Sequence, residues 1–122
     1  MSYYYVATPY SAYPAGIDAA FHDACTATAE FIKRGIPVYS PIAHTHPVAL
    51  AGGMDPLDHT IWLPADQPFM DAARGLIVVQ MDGWDKSKGI AFEIEAFEKV
   101  SKVTRHCPWP MPTGDWWYER LR

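Results

Sequence analysis

Gly75-Leu76-Ile77-Val78-Val79-Gln80-Met81, followed by the turn Asp82 to Lys86 and then by Ser87-Lys88-Gly89-Ile90-Ala91-Phe92-Glu93-Ile94-Glu95, is the stretch on which the fold turns. Its first segment is apolar on both alternating faces, which is the pattern of a central parallel strand covered from both sides. From about Ser87 to Ser101 the period changes to that of a helix, with Ile90, Glu93, Ile94 and Phe97 at i, i+3, i+4 and i+7. A buried strand feeding a helix through a short loop is half of a parallel crossover unit.

Working outward, Asp66 to Arg74 reads as a helix before the central strand, and Lys102 to Arg105 as a short strand after the second helix. Near the N-terminus, Tyr3 to Ala7 is a β-prone run that ends at Thr8-Pro9, and the loop Pro9 to Gly16 follows. Ile17 to Arg34 carries a helical apolar stripe, in which Thr28 is the polar member, and Gly35-Ile36-Pro37 stops it. Residues 37 to 41 predict a second strand flanked by prolines, with Ile42 to Pro47 in its exit loop. Residues 48 to 65, interrupted by Gly52-Gly53 and two prolines, read as a partly ordered excursion.

This order predicts an α/β chain, a single-domain open, mostly parallel sheet of about five strands with helices on both faces, flavodoxin-like or Rossmann-like. Residues 1 to 106 form that domain, and 107 to 122 form a Pro/Trp-rich tail packed on the domain or on an oligomer interface. Ligands of such sheets sit beyond the carboxyl ends of the strands, so the loops 8 to 16, 41 to 47 and 82 to 88 converge on one cleft.

Composition narrows the function. At 122 residues and 49% apolar content the chain has room for one core, and a formal charge of −4 without basic runs argues against binding duplex nucleic acid or an anionic membrane. The two cysteines, Cys25 and Cys107, have no metal spacing and form no disulfide framework. No secretory leader or membrane span is evident, which predicts a cytoplasmic protein that handles a small molecule.

Several side chains stand out against this frame. Glu93 lies within the apolar stripe of its helix, whereas Glu95 and Glu98 take solvent positions. A stripe carboxylate either reaches water at the edge or is a desolvated functional group with a raised pKa. Ser87 reads as a helix N-cap, and the same helix terminus can receive a phosphate. Asp66, before its helix, is an N-cap or a second carboxylate of the kind glycosidic chemistry uses in pairs. His44 and His46 suit hydrogen bonding or substrate contact, and with Asp58 and His59 they raise a metal site as the alternative. Tyr5, Tyr10, Tyr39 and Trp84 suit core or cleft lining, where a base can stack.

Tyr5-Val6-Ala7-Thr8-Pro9-Tyr10-Ser11 and Gly83-Trp84-Asp85-Lys86-Ser87-Lys88-Gly89-Ile90-Ala91-Phe92-Glu93-Ile94-Glu95 together resemble the opening strand and signature helix of the nucleoside 2-deoxyribosyltransferase superfamily. Within it the chain is similar to small bacterial proteins with a Ser-Pro-x-x-x-x-His-Pro loop, here Ser40 to Pro47. The resemblance spans about residues 3 to 106. It implies that Glu93 is the nucleophile that attacks C1′, that Asp66 protonates the departing base and contacts the sugar, and that Tyr5 positions the nucleophile. Thr8 and Ser11 would line the sugar or phosphate, with His44, His46, Trp84, Ser87 and Gly89 as further substrate contacts. The transferases carry an aspartate six residues before the nucleophile; Ser87 stands there instead, which resembles the monophosphate N-glycosidases, because a hydroxyl admits a phosphate that a carboxylate repels. Glu95 replaces a glycine of many relatives.

The implied function is cleavage of the N-glycosidic bond of a nucleoside 5′-monophosphate or (deoxy)nucleoside through a covalent glycosyl-enzyme on Glu93, by hydrolysis or by transfer to another base. No cofactor is implied, and the resemblance implies a homo-oligomer, a dimer or tetramer. The alternatives are a non-catalytic nucleotide-binding module and a metal-dependent hydrolase built on His44 and His46.

Overall fold

The computed structural model describes residues 2–122. The chain runs β1 (Tyr4–Ala7), α1 (Ile17–Lys33), β2 (Val38–Tyr39), α2 (Pro41–Ala51), α3 (His59–Ala72), β3 (Gly75–Val79), α4 (Lys88–Lys99) and β4 (Val103–Cys107), with 3-10 turns at Trp84–Lys86 and Asp115–Leu121. The four strands form one sheet in the order β2-β1-β3-β4, and every neighbouring pair is parallel. The single α/β domain with an open parallel sheet is as the sequence predicts. Among the described residues four strands form where about five were expected, and the proline-rich segment beyond β4 winds into a 3-10 turn.

Alternation along β1 and β3 divides the core into two layers. Tyr4, Val6, Ile77 and Val79 point to one face, where Ala27 and Phe31 of α1 and Trp117, Tyr118 and Leu121 cover them. Tyr5, Ala7, Leu76 and Val78 point to the other, covered by Met70 and Ala73 near the end of α3 and by Ile90 and Phe97 of α4. The helices therefore occupy both faces. The C-terminal segment is part of the first layer: Arg34 lies over the Tyr118 ring at 4.0 Å and donates to Glu30, Asp115 and the Thr113 carbonyl, while the Tyr118 hydroxyl donates to the Pro112 carbonyl at 2.7 Å.

Three segments differ from expectation. Residues 41 to 47 are not a loop but most of α2: Ser40 caps the helix, its Oγ accepting from the Ala43 amide at 3.2 Å, and Pro41 at the first helical position has no amide to lose. The excursion at 48 to 65 is largely helical, because Asp58 caps α3 by accepting from the Thr60 amide at 3.0 Å. Prolines 47, 64 and 68 sit inside these helices, but each is on an exposed side, where a carbonyl left without its helical partner costs least. As a result Asp66 is not an N-cap; it lies two turns into α3.

The chain leaves β1 for β2 on one side and returns to β3 on the other, so β1 and β3 flank a switch point in strand order. The loops after these two strands meet at Gly83. Its φ is +88°, and a Cβ there would lie 2.6 Å from the Ala12 carbonyl oxygen, so only glycine lets the loops approach this closely.

Candidate active site

A cavity of about 110 Å³ opens at the carboxyl ends of β1 and β3. Tyr5, Thr8, Tyr10 and Ser11 line it from β1 and its loop; Ser87, Gly89, Ile90 and Glu93 line it from α4. On α3, His59, Trp62, Leu63, Asp66 and Met70 share one face at i, i+3, i+4, i+7 and i+11 and form the opposite wall. Pro41, Ile42 and Thr45 of α2 complete it. A larger cavity, about 750 Å³, lies between α3 and α4 and is lined by Met70, Phe92, Phe97 and Val100 with Lys99 and Lys102 at its edge; none of the candidate residues reaches it.

Glu93 and Asp66 thus face one small space from two different helices. Burial raises the Glu93 carboxyl to about 8, the nearby Asp66 charge adds to the rise, and a hydrogen bond from the Tyr5 hydroxyl opposes it. Burial likewise raises Asp66 to about 6, against the pull of His44. Near neutral pH the pair therefore holds one proton, mainly on Glu93. Tyr5, itself buried and next to both carboxyls, has its pKa raised, first by burial and then by their charges, so it stays a phenol that can donate.

Two polar atoms in this cavity are buried without a hydrogen-bond partner, Asp66 Oδ1 and Thr8 Oγ1. Thr8 is 5% exposed. Buried polar atoms in native proteins are nearly always paired, and for these two the protein itself supplies no partner. At the rim Ser87 caps α4, with Oγ accepting from the Ile90 amide at 3.2 Å. The amides of Lys88 and Gly89 have no acceptor within the helix, and the helix dipole favours an anion there.

Seven of the ten residues singled out in the sequence meet at this cavity: Glu93, Asp66, Tyr5, Thr8, Ser11, Ser87 and Gly89. His44, His46 and Trp84 do not line it. Because α2 is a helix rather than a loop, Thr45 faces the cavity while its neighbours turn elsewhere. His44 pairs with the Tyr39 hydroxyl through Nδ1 at 2.7 Å and acts on the site through its electrostatic pull on Asp66. His46 is buried against α1, and Trp84 packs edge-on to His106 with centroids 5.4 Å apart. The two histidines have diverging partners, and among the described residues no group of three or more His, Cys, Asp or Glu side chains is arranged to hold a metal ion. Trp62 and Leu63 were not anticipated, and His59 was read only as a metal-ligand candidate; their spacing with Asp66 was the available signal, obscured by Pro64 and Pro68.

Fold and site together define the class: a Rossmann-like α/β domain, of a kind able to bind a nucleotide, with an acidic pocket at its switch point. The chain belongs to the family described as a domain of unknown function, DUF1937, whose model matches residues 2–106. No curated protein matches it. Among the described residues no helix is long and apolar enough to cross a membrane.

Proposed function

We propose that this pocket cleaves the N-glycosidic bond of a nucleoside 5′-monophosphate or a (deoxy)nucleoside, as a member of the nucleoside 2-deoxyribosyltransferase superfamily would. The observation that carries this reading is the pair Glu93 and Asp66, desolvated in one cavity beside a donating tyrosine and an unpartnered Asp66 oxygen. Two carboxyls that share a proton supply what glycosidic chemistry needs, one as nucleophile and one as acid.

The reactive arrangement places the shared proton on Asp66. Glu93, ionised and steadied by the Tyr5 hydroxyl, attacks C1′; the C1′–N bond breaks with its electron pair going to the base, which takes the Asp66 proton. The glycosyl ester on Glu93 is then resolved by water or by a second base, with Asp66 accepting a proton. Thr8 supplies a hydroxyl for the sugar. The amides at the start of α4, with Ser87 in place of a carboxylate, suit a 5′-phosphate. A second copy of the chain as partner, in a dimer or tetramer, remains part of this proposal.

Chromatography of free base after incubation with a panel of nucleosides and 5′-monophosphates tests the reading. Wild type should release base and Glu93→Gln should not, and lanes with an acceptor base separate transfer from hydrolysis. Binding that raises the melting temperature without any base release would instead identify a non-catalytic nucleotide-binding module.

A further inference from the structure

A chain of polar groups leads from the pocket to solvent through residues that the two-carboxylate chemistry does not use. Tyr10 lines the cavity, and its hydroxyl lies 2.6 Å from Nδ1 of His46. His46, on α2, is 3% exposed; its ring stacks on Phe21, with centroids 4.6 Å apart and planes 19° from parallel. Its Nε2 is 3.2 Å from Oδ1 of Asp18, at the start of α1, a side chain 90% exposed. A half-buried phenol, a buried imidazole and a solvated carboxylate thus follow one another outward.

The order of these groups fixes where the protons sit. An ionised carboxylate only accepts, so Asp18 favours a proton on the nitrogen that faces it, Nε2. Of the two neutral tautomers of the ring, only the one protonated on Nε2 serves both neighbours, and in it Nδ1 carries a lone pair. The Tyr10 hydroxyl then has to donate to Nδ1. With its proton committed there, the phenol oxygen has only lone pairs left for the pocket.

We propose that Tyr10 is a substrate-binding residue that acts solely as a hydrogen-bond acceptor, held in that role by the positioning residues His46 and Asp18, and that it selects ligands carrying a donor at that point. For a nucleotide the donor is a sugar hydroxyl or an exocyclic amine of the base; the identity of the ligand rests on the glycosidic reading above, the tautomer does not. A ligand without the donor leaves the phenol oxygen desolvated and unpaired, which makes such a site selective.

Long-range proton–nitrogen correlation spectra of protein labelled with 15N-histidine test the first half. His46 should be neutral and protonated on Nε2 in wild type, and Asp18→Asn should shift it toward a mixture of tautomers. A doubly protonated His46, or one protonated on Nδ1, overturns the inference whether or not nucleotides bind.

Calorimetry in the Glu93→Gln background, to prevent turnover, tests the second half. The ligands are adenosine 5′-monophosphate, its 2′-deoxy and 3′-deoxy counterparts, and purine riboside 5′-monophosphate, which lacks the amine. Tyr10→Phe should weaken binding of adenosine 5′-monophosphate about five- to tenfold, the loss of one hydrogen bond. One analogue should bind the Tyr10 protein that much more weakly and be indifferent to Tyr10→Phe; which one it is names the donor. Equal loss across all four ligands, or no loss, overturns the proposal. If no nucleotide binds the wild-type chain although the tautomer is as expected, the glycosidic reading fails and the ligand half of this inference fails with it.

Discussion

Replacing Glu93 with glutamine should make the folded protein more stable at high pH, and by an amount the site defines. Glu93 has a folded-state pKa of about 8 against an ordinary value of 4.5, and burial is the first cause. An acid with a raised folded pKa binds its proton more tightly in the native state. Its contribution is therefore full below pH 4.5, declines as pH rises through the window from 4.5 to 8, and is lost above it. At about 1.4 kcal/mol per pH unit, the wild type gives up roughly 3 kcal/mol by pH 7 and roughly 5 kcal/mol by pH 9. Glutamine matches the protonated side chain in shape and does not titrate, so the variant escapes this decline. Urea denaturation of both proteins at pH 5, 7 and 9 measures it: midpoints should nearly coincide at pH 5 and separate increasingly in favour of Glu93→Gln. A pH-independent difference, or a variant less stable than wild type at pH 9, would show that the Glu93 carboxyl is well solvated, and the desolvated pair on which the glycosidic reading rests would be gone.

Asp66→Asn should lower kcat for base release about 10²–10⁴-fold, the usual contribution of a general acid, and the deficit should shrink for substrates whose leaving base needs no proton; a uniform deficit across leaving groups would remove Asp66 from the acid role. Ser87→Ala should lower stability by about 1 kcal/mol through loss of the α4 cap, seen in urea melts, and should reduce the preference for 5′-monophosphates over nucleosides in kcat/KM; an unchanged preference places the phosphate elsewhere. Gly83→Ala forces a side chain into a left-handed conformation and against the Ala12 carbonyl, so a loss of at least about 1–2 kcal/mol with a distorted first loop should appear as a lower melting temperature and raised KM. Removal of residues 108 to 122 uncovers the layer that Trp117, Tyr118 and Leu121 bury, worth about 6 kcal/mol, and should leave a chain without a cooperative thermal transition.

What the sequence makes legible follows from where one physical signal acts alone. β1, α1, β3 and α4 have unbroken periodicity, and their observed limits lie within a few residues of those read from it. Glu93 is legible for the same reason, since a carboxylate in an otherwise apolar stripe has to be accounted for. The misreadings cluster where proline and the capping residues conflict. At Ser40-Pro41 and again at Asp58, a capping side chain starts a helix that prolines at 47, 64 and 68 would by themselves argue against. Tertiary placement decides: each of those prolines faces solvent, so its missing hydrogen bond is inexpensive. The same conflict hid the helical face on which Trp62 and Leu63 join His59 and Asp66. Tail residues Trp117, Tyr118 and Leu121 carry no period, because they bury themselves in a 3-10 turn against a layer formed by residues distant in sequence.

The location of the pocket also explains why its acids come from different helices. At the switch point between β1 and β3 the chain diverges, so the loop of β1 and the start of α4 leave a crevice that α3 borders from the side. A carboxylate one turn into α4 and another two turns into α3 then face the same crevice. Neither helix alone would desolvate its acid: Glu95, two residues from Glu93, is exposed, and so is Asp71, five residues from Asp66. The raised pKa values are therefore a property of the assembled fold. Loosening α3, which is anchored in the core by the buried Met70, should lower both of them together. Met70→Ala provides that test, because Met70 lines the cavity but carries no charge. A downward shift of both carboxyl titrations, followed by carbon-detected NMR, would confirm that the packing of α3 against α4 holds the proton on the pair; unchanged titrations would assign the shifts to the immediate surroundings of each carboxyl instead.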